Sequence, residues 1–312
     1  MSNDSMSTRI ANFRPLVAEL GSALKNFQQS GSKFRVLKTV HPKSAKPEPP
    51  SSPASNESPR TLFILDSSFN PPSIAHRYIS MAALQKSTSD SFPKSHRLLL
   101  LFATMNADKA PSAASFDQRL TLMCIFAQDL VESLKAKSDE YSVVPIDIGV
   151  TTVPYYTDKT AAIQEEGSEW YPSKPKHIHL VGYDTLVRLF NAKYYSKFDP
   201  PFSALNPYFD AGHRFHVTLR PDEEYGSEEE QKAFLKKIED GELEDQGGKR
   251  EWAKQIQLVP PHAEGGVSST KIRKAAKRED WAELNRLTLP TVGAWVKEAK
   301  IYAEDDRGAK MA

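Results

Sequence analysis

Two short polar stretches of the chain combine hydroxyl, imidazole and guanidinium side chains, the groups with which proteins hold phosphate. The first runs from Asp66 to His76 with the sequence DSSFNPPSIAH. Its two prolines end a preceding strand, and Ser73 is a favourable N-cap for a following helix. His76 would then lie in the first helical turn, where unbonded backbone N–H groups favour an anion and a cationic imidazole would strengthen the site. Taken alone, the stretch is equally typical of a capped helix with a surface histidine.

The second stretch lies near the other end of the sequence, from Gly265 to Lys274 (GGVSSTKIRK). Its small residues allow a phosphate to approach closely, and the hydroxyls of Ser268, Ser269 and Thr270 accompany a predicted helix N-terminus that offers further donors. Arg273 falls about one turn into that helix, where its guanidinium can fork onto phosphate oxygens. On its own, this stretch is explained at least as well by an ordinary capped, basic surface helix.

The segments between these stretches alternate between strand and helix patterns. Such alternation, with strands that are apolar on both faces, is typical of an α/β fold with a doubly wound, mainly parallel sheet. Sheets of this type bind ligands beyond the carboxyl ends of their strands, which is where both polar stretches are expected. The predicted strands are 62–65, 97–102, 141–148, 177–181, 215–219 and 255–259, and the predicted helices are 74–86, 116–136, 185–195 and 228–238.

The first 60 residues differ in composition from the rest of the chain. Apolar residues spaced three and four apart predict an amphipathic helix over 8–28, which must pack on its own domain or on a protein partner. A short strand is predicted over 34–40, and the Pro- and Ser-rich segment after it is interpreted as a mobile linker. The predicted organisation is 1–40 for the helix and strand, 41–60 for the linker, 61–304 for the main domain with a charged insertion near 221–250, and 305–312 for a tail.

The overall charge gives little attraction for nucleic acid or membrane surfaces. The 312 residues carry 41 Lys and Arg against 40 Asp and Glu, a net charge of +1, so neither nucleic acid nor membrane is expected as a partner. Cys124 is the single cysteine, and a reducing compartment, the cytoplasm or also the nucleus, fits best. No signal core or spanning apolar run is found. No GxSxG, CxxC or HExxH pattern indicates a hydrolase or a zinc site.

Together, the two stretches resemble the signatures of the nucleotidyltransferase superfamily that carries (H/T)xGH and SSTxxR motifs. SSFNPPSIAH at 67–76 is similar to the GSFNPxTxxH stretch of the nicotinamide and nicotinate mononucleotide adenylyltransferase family, and VSSTKIR at 267–273 is similar to its ISSTxIR stretch. Weaker matches occur in the right order at 102–127, 180–190 and 289–302. The pattern looks like a divergent fungal branch of the family, associated with filamentous growth and including ATP-hydrolysing members.

The resemblance implies a Rossmann-like nucleotidyltransferase fold and the transfer of AMP from ATP to NMN, which gives NAD and pyrophosphate. Mg²⁺ would accompany ATP, held mainly by the phosphates and water with no protein ligand set of its own. His76, Arg273 and Lys109 would form the catalytic set. The ATP-binding positions implied are Ser67, Ser68, Phe69, Ser73, His76, Gly182, Asp184, Ser268, Ser269, Thr270 and Arg273. The NMN-binding positions implied are Ser68, Asn70, Lys109, Tyr155, Tyr156, Thr160 and Trp170.

The sequence departs from the family pattern at three positions of the first stretch. Ser67 replaces a glycine, Ser73 replaces His or Thr, and Ala75 replaces the glycine of the HxGH form. Ser73 keeps a hydroxyl for phosphate, whereas Ser67 is bulkier than glycine where the backbone should approach the nucleotide. These departures leave open an alternative function, a nucleotide-binding ATPase or regulatory protein of the same fold with weak or no transferase activity. A cytidylyl- or pantetheine-phosphate transferase and a structural α/β domain are further alternatives. The sequence decides neither the choice between NMN and nicotinate mononucleotide nor the oligomeric state.

Overall fold

The computed structural model describes residues 6, 9–50, 52–53, 58–104, 114–262 and 267–303. The predicted catalytic Lys109 lies outside these ranges, and so does the glycine pair at 265–266 that opens the second polar stretch. The strands of the described residues are β1 (Phe34–Val40), β2 (Pro47–Glu48), β3 (Thr61–Asp66), β4 (His96–Ala103), β5 (Ile146–Thr151), β6 (Lys176–Gly182), β7 (Arg214–Thr218) and β8 (Ile256–Val259).

All of these strands join one sheet, in the order β2-β1-β5-β4-β3-β6-β7-β8. The six strands β5, β4, β3, β6, β7 and β8 run parallel to one another. β1 is antiparallel to both β5 and β2. Every residue of β4 is buried, as expected for a central strand with helices on both faces. The predicted α/β class with a doubly wound, mainly parallel sheet is confirmed.

Helices cover both faces of the sheet. Alternate residues of a strand point to opposite faces, so Phe63 and Leu65 of β3 pack in one cluster, and Leu62 and Ile64 pack in another. The helices are α1 (Arg14–Gln29), α2 (Ile74–Leu84), α3 (Lys86–Ser89), α4 (Phe116–Ala136), α5 (Tyr156–Glu166), α6 (Tyr183–Leu189), α7 (Asn206–Asp210), α8 (Glu228–Asp240), α9 (Ser269–Lys277), α10 (Trp281–Leu287) and α11 (Pro290–Glu298). The Phe63 cluster includes residues of α1, α2, α4 and α9–α11, and the Leu62 cluster includes residues of α5. None of the described helices is long and apolar enough to cross a bilayer.

The N-terminal segment packs on the sheet. The apolar face of α1 is buried against α4 and β1, so the predicted amphipathic helix docks on its own chain. Lys38 of β1, itself buried, pairs with Glu19 of α1 at 2.5 Å. Pro47 and Glu48, inside the segment interpreted as a linker, pair with the end of β1. The predicted helix and strand of this segment therefore form one structural unit with the main sheet.

The predicted bounds of two elements of the main domain are wrong by several residues. The strand predicted over 141–148 begins only at Ile146, because Pro145 has no N–H to donate to a ladder and contributes only its carbonyl oxygen, which accepts from the N–H of Leu98 at 3.1 Å. The helix predicted over 185–195 starts earlier, at Tyr183, and ends at Leu189. A separate 3₁₀ turn at Ala192–Tyr195 follows, because the side chain of Asn191 accepts from the N–H of Lys193 and caps a new turn.

Candidate active site

The fold brings the two polar stretches into direct contact at the carboxyl end of β3. Ser269 Oγ, in the first turn of α9, donates to the carbonyl oxygen of Pro71 at 2.9 Å. Arg273 Nη1 donates to the carbonyl oxygen of Asn70 at 2.9 Å, and its Nη2 donates to Thr270 Oγ1 at 3.1 Å. The residues joined in this way are about two hundred positions apart, 198 for Ser269 and Pro71. The parallel sheet therefore assembles one site from both ends of the chain.

Ser268 and Ser73 begin the two helices that face this contact. Ser268 Oγ accepts from the N–H of Lys271 at 3.4 Å and is the N-cap of α9. Ser73 is the N-cap of α2 and forms a capping box with His76. Helix N-termini concentrate unbonded N–H groups, and here the same carboxyl edge of the sheet carries both. The cap predicted at Ser73 is confirmed, and Ser268 caps the helix that was predicted to start in the second stretch.

The imidazole of His76 is neutral, whereas the sequence suggested a cationic ring. Burial lowers its pKa to about 4, because the ring packs beside Phe69 with centroids 5.3 Å apart and near Phe126 at 6.4 Å. Its Nδ1 accepts from the backbone N–H of Ser73 at 3.0 Å, and Ser73 Oγ lies 2.9 Å from the same nitrogen. Its Nε2 lies 2.9 Å from Ser67 Oγ. His76 can therefore donate a hydrogen bond at Nε2 without carrying charge.

Arg119 is a residue of this site that the sequence analysis did not single out. It lies in the first turn of α4, is 3% exposed, and donates through Nε to the carbonyl oxygen of Ser68 at 2.7 Å, with Nη2 directed to the same oxygen. Its guanidinium lies 4.3 Å from the ring centroid of Phe102. Its pKa is lowered to about 10, mainly by burial; Tyr302 opposes this shift, and the charge of Arg273 adds to it. No carboxylate of the described residues forms an ion pair with it.

Arg119 stabilises an unusual backbone in the first stretch. The next residue after its carbonyl partner is Phe69, which has a φ of 44° in the left-handed region that a bulky side chain rarely adopts. The Phe69 ring is completely buried. Asn70, also buried, accepts at Oδ1 from the hydroxyl of Tyr302 at 2.9 Å. The single arginine of α4, directly before the mainly apolar run at 120–127, was the signal in the sequence that would have identified Arg119.

A second group of predicted residues lies at the end of the neighbouring strand β6. Gly182 ends that strand, and a Cβ at this position would lie 2.6 Å from Asp184 Oδ1, so a larger residue would displace the Asp184 carboxylate. Asp184 is in the first turn of α6 and accepts from Arg188 Nη2 at 3.3 Å. Between the two strand ends, Lys159 of α5 forms a buried ion pair with Asp66, the last residue of β3. The sequence analysis did not identify that pair, because no local pattern links the two residues.

The aromatic residues predicted to contact NMN occupy different environments. Tyr155 precedes α5 and is 40% exposed. Tyr156 packs on the interior side, with its ring 5.2 Å from that of His179 and 5.8 Å from that of Phe215. Trp170 belongs to the Leu62 cluster with Phe34, 6.1 Å away, on the face of the sheet opposite to the cluster that receives His76. The structure therefore does not bring Trp170 to the contact between the two stretches.

Thr160 lies on α5, buried, and its Oγ1 has no hydrogen-bond partner among the described residues. It follows directly after Lys159, whose ammonium reaches Asp66 at the carboxyl end of β3. An unsatisfied buried hydroxyl is uncommon in native proteins.

No cluster of three or more His, Cys, Asp or Glu side chains suited to a metal ion is present in the part of the chain that the structure describes.

A curated relative shares most of the length of the chain. It is a protein of Schizosaccharomyces pombe named "Putative nicotinamide mononucleotide adenylyltransferase", 28% identical over 235 residues, which are 75% of this chain and 82% of the relative. No family model matches the chain. Two solved structures of Plasmodium falciparum nicotinic acid mononucleotide adenylyltransferase, complexed with APC and with NaAD, are similar to this chain with TM-scores of 0.47 and 0.44. Each is 14% identical, and each match covers 79% of this chain and 98% of that one.

The similarity to the curated relative agrees with the two motifs found in the sequence. The stretches at 67–76 and 267–273 are the ones that resemble the family signatures, and the parallel sheet places them in hydrogen-bond contact. Through its curated relative and these two motifs, the chain is similar to the mononucleotide adenylyltransferases, a family of nucleotidyltransferases.

Proposed function

We propose that the protein transfers AMP from ATP to NMN and so forms NAD and pyrophosphate. The observation that carries the proposal is the contact between the two stretches, in which Ser269 and Arg273 of α9 meet the turn at Asn70 and Pro71. The S. pombe relative named for this activity supports the choice of NMN. We further propose that the reaction takes place in the cytoplasm or the nucleus, where the buried Cys124 stays a thiol.

The chemistry needs charge stabilisation more than proton transfer. The 5′-phosphate of NMN has a second pKa near ~6 and is already ionised at neutral pH, so it attacks the α-phosphorus of ATP without a general base. The residues have to bring two polyanions together and stabilise the charge that develops on the departing pyrophosphate. Mg²⁺, held by the ATP phosphates and water, would neutralise part of that charge.

The described residues supply two kinds of donor for this task. Arg273 and Arg119 provide two guanidiniums near the same turn, and the Arg119 charge has no carboxylate partner in the described ranges. Ser268, Ser269 and Thr270 provide hydroxyls at the N-terminus of α9. We propose that these arginines and hydroxyls hold the triphosphate. The neutral His76 lies at the same turn and contacts Ser67 through Nε2.

We propose that the NMN side of the site is formed around the end of β3 and the start of α5. Ser68 and Asn70 follow β3, and Tyr155 directly precedes α5; Lys109 is proposed to bind the NMN phosphate. Asp184, partly exposed in the first turn of α6, is proposed to accept from a ribose hydroxyl of ATP. Lys159 is not proposed as a substrate cation because Asp66 neutralises it.

The test is product formation from ATP and Mg²⁺ with either NMN or nicotinate mononucleotide. We expect dinucleotide and pyrophosphate from the wild-type protein, with NMN preferred. The Arg273→Ala variant should lose about a hundredfold or more in kcat/KM, because a preorganised donor to the developing charge is removed. Arg278→Ala, at an exposed position just after the same helix, is the matched control and should keep wild-type activity. Equal dinucleotide formation by wild type and Arg273→Ala, or ADP and phosphate without dinucleotide, would contradict the proposal.

A further inference from the structure

Ser67 occupies the position at which the family pattern has glycine, and it contacts His76 directly. We propose that Ser67 donates the hydrogen bond to an ATP phosphate and that His76 is a positioning residue, which orients the Ser67 hydroxyl without touching the phosphate. The proposal rests on the proposed function, because it assigns a residue of the same ATP site. It changes the expected role of the histidine from a ligand of ATP to a support for its neighbour.

The hydrogen bonds of His76 fix which nitrogen carries the proton. The backbone N–H of Ser73 donates to Nδ1 at 3.0 Å, and a backbone N–H has no acceptor role. In a neutral imidazole one nitrogen accepts and the other donates, so the proton is on Nε2. Nε2 lies 2.9 Å from Ser67 Oγ. His76 therefore donates to Ser67, and Ser67 Oγ is the acceptor in that bond.

The Ser67 hydroxyl then keeps its own proton for another acceptor. No hydrogen bond from Ser67 Oγ to an acceptor is found within the described ranges, and the residue is partly exposed. Its backbone is fixed, because its N–H donates to the carbonyl oxygen of Leu101 at 3.2 Å and extends the β3–β4 pairing by one residue. A fixed backbone and an oriented hydroxyl give a donor whose direction is set before ATP arrives, which reduces the ordering cost of binding.

The surroundings of Ser67 favour an anion as the acceptor. The next carbonyl along the chain, that of Ser68, holds the buried guanidinium of Arg119 at 2.7 Å. The carboxylate on the other side, Asp66, is neutralised by Lys159. A hydroxyl with a free proton between a buried cation and a neutralised acid matches a phosphate oxygen better than it matches a cationic or apolar group.

The opposite interpretation is that Ser67 obstructs His76. In that case the Ser67 hydroxyl accepts the hydrogen bond from His76 Nε2 in the free protein, and ATP must displace this hydroxyl before His76 can bind phosphate. The two interpretations predict opposite effects of removing the hydroxyl, because a donor is lost in the first and an obstacle is removed in the second.

A double-mutant cycle with Ser67→Ala, His76→Ala and the combined variant separates them. The dissociation constant of ATP with Mg²⁺ is measured by calorimetry, and kcat is measured with NMN. We expect Ser67→Ala to weaken ATP binding about tenfold to a hundredfold, the value of one hydrogen bond to a charged group. The combined variant should be no weaker than Ser67→Ala, because His76 acts only through the hydroxyl. Ser67→Thr restores a hydroxyl and should recover most of the affinity.

The control is Ser87→Ala, the same substitution at an exposed position of α3, which should bind ATP like the wild type. Unchanged or tighter ATP binding by Ser67→Ala, with His76→Ala costing the same in both backgrounds, would overturn the proposal. The binding cycle does not depend on transfer, so a wild-type protein that binds ATP with the expected coupling but makes no dinucleotide would refute only the proposed function. Absence of ATP binding by the wild type would refute both.

Discussion

Arg119 carries a positive charge into a part of the core where the described residues offer it one carbonyl oxygen and two aromatic rings. The rings are those of Phe102 and Phe116, at 4.3 and 5.5 Å from the guanidinium carbon. A buried cation without a carboxylate is costly, so its retention beside Arg273 is consistent with the binding of an anionic substrate. The same guanidinium also supports the left-handed turn at Phe69 through the Ser68 carbonyl.

Replacing Arg119 with lysine should separate its charge from its geometry. Arg119→Lys keeps the positive charge but loses the rigid fork, since an ammonium is a point donor. We expect the free energy of unfolding to fall by about 1–3 kcal/mol, because the half-buried Ser68 carbonyl loses its forked guanidinium partner. ATP binding should weaken as the turn relaxes. Urea unfolding and calorimetry with ATP check both effects.

Arg286→Lys is the matched control for this prediction. Arg286 is exposed and pairs with Glu283 on α10, and a substitution of this kind should change the free energy of unfolding by less than about 0.5 kcal/mol. If Arg119→Lys had the same free energy of unfolding as this control, the turn at Ser68 would not depend on the forked guanidinium of Arg119.

For single residues, the sequence predicted the place in a helix or strand better than the protonation state or the contacts with distant segments. The prolines and Ser73 predicted where α2 begins, and His76 lies in its first turn as expected. The charge of His76 was not predictable, because the burial that lowers its pKa comes from Phe126 on a different helix. Arg119 and the pair of Lys159 with Asp66 also depend on contacts between distant segments.

Among the secondary-structure elements, α1 and β1 show most clearly how far sequence patterns extend. The periodicity of residues 8–28 and the short run at 34–40 predicted both elements, which the structure confirms. Nothing local showed that β1 pairs antiparallel with β5, because the pairing joins Thr39 to Asp147, 108 positions later. The Pro- and Ser-rich segment after β1 suggested a separate N-terminal unit, because nothing in the local sequence indicated that β1 pairs with β5.

The packing of α1 predicts that it contributes to global stability. Leu20 is 0% exposed at the centre of its apolar face, so Leu20→Ala should lower the free energy of unfolding by about 2–5 kcal/mol through lost burial and a cavity. Urea unfolding followed by both circular dichroism and tryptophan fluorescence measures this loss. The two probes should give one transition.

Lys25→Ala, on the exposed side of the same helix, is the control and should change the free energy of unfolding by less than about 0.5 kcal/mol. Similar small values for both variants would mean that α1 contributes little to the cooperative core. Two separate transitions for the wild type would mean that α1 unfolds independently of the sheet.

The molecule as a whole contains a group of buried neutral histidines along β6 and β7. The rings of His177 in β6 and His213, which directly precedes β7, are stacked with centroids 4.5 Å apart, and His179 lies in β6 and His216 in β7. Neither ring nitrogen of His177 has a hydrogen-bond partner in the part of the chain that the structure describes. Burial lowers the pKa of His213 and His216 to about 4 and holds the pKa of His177 and His179 well below the usual value.

These histidines predict a loss of stability in mild acid. Above pH 6.5 both the folded and the unfolded chain leave them neutral, so their effect is absent. Between the unfolded pKa near ~6.5 and the lowered folded pKa, only the unfolded chain takes up protons, and the free energy of unfolding falls by about 1.4 kcal/mol per pH unit for each histidine. Urea unfolding at pH 7.5 and at pH 5.0 measures the fall.

His177→Phe tests the contribution of one ring. The variant should lose about 2 kcal/mol less than the wild type between these two pH values, because one proton fewer binds on unfolding. Comparing each protein with itself removes any constant effect of the larger ring. The same pH dependence in both proteins would show that His177 is protonated in the folded state as readily as in the unfolded state.

The antiparallel pairing of β1 with β5 also affects the order in which the protein can be built on the ribosome. Synthesis proceeds from the N-terminus, so α1 and β1 emerge long before the strand that completes their layer. Until β5 and α4 have been made, the apolar face of α1 lacks its packing against α4, and one side of the β1 backbone has no strand to pair with. A nascent chain that stalls between β1 and β5 would present this surface to chaperones, and the N-terminal segment would be the last part of the sheet's antiparallel edge to close.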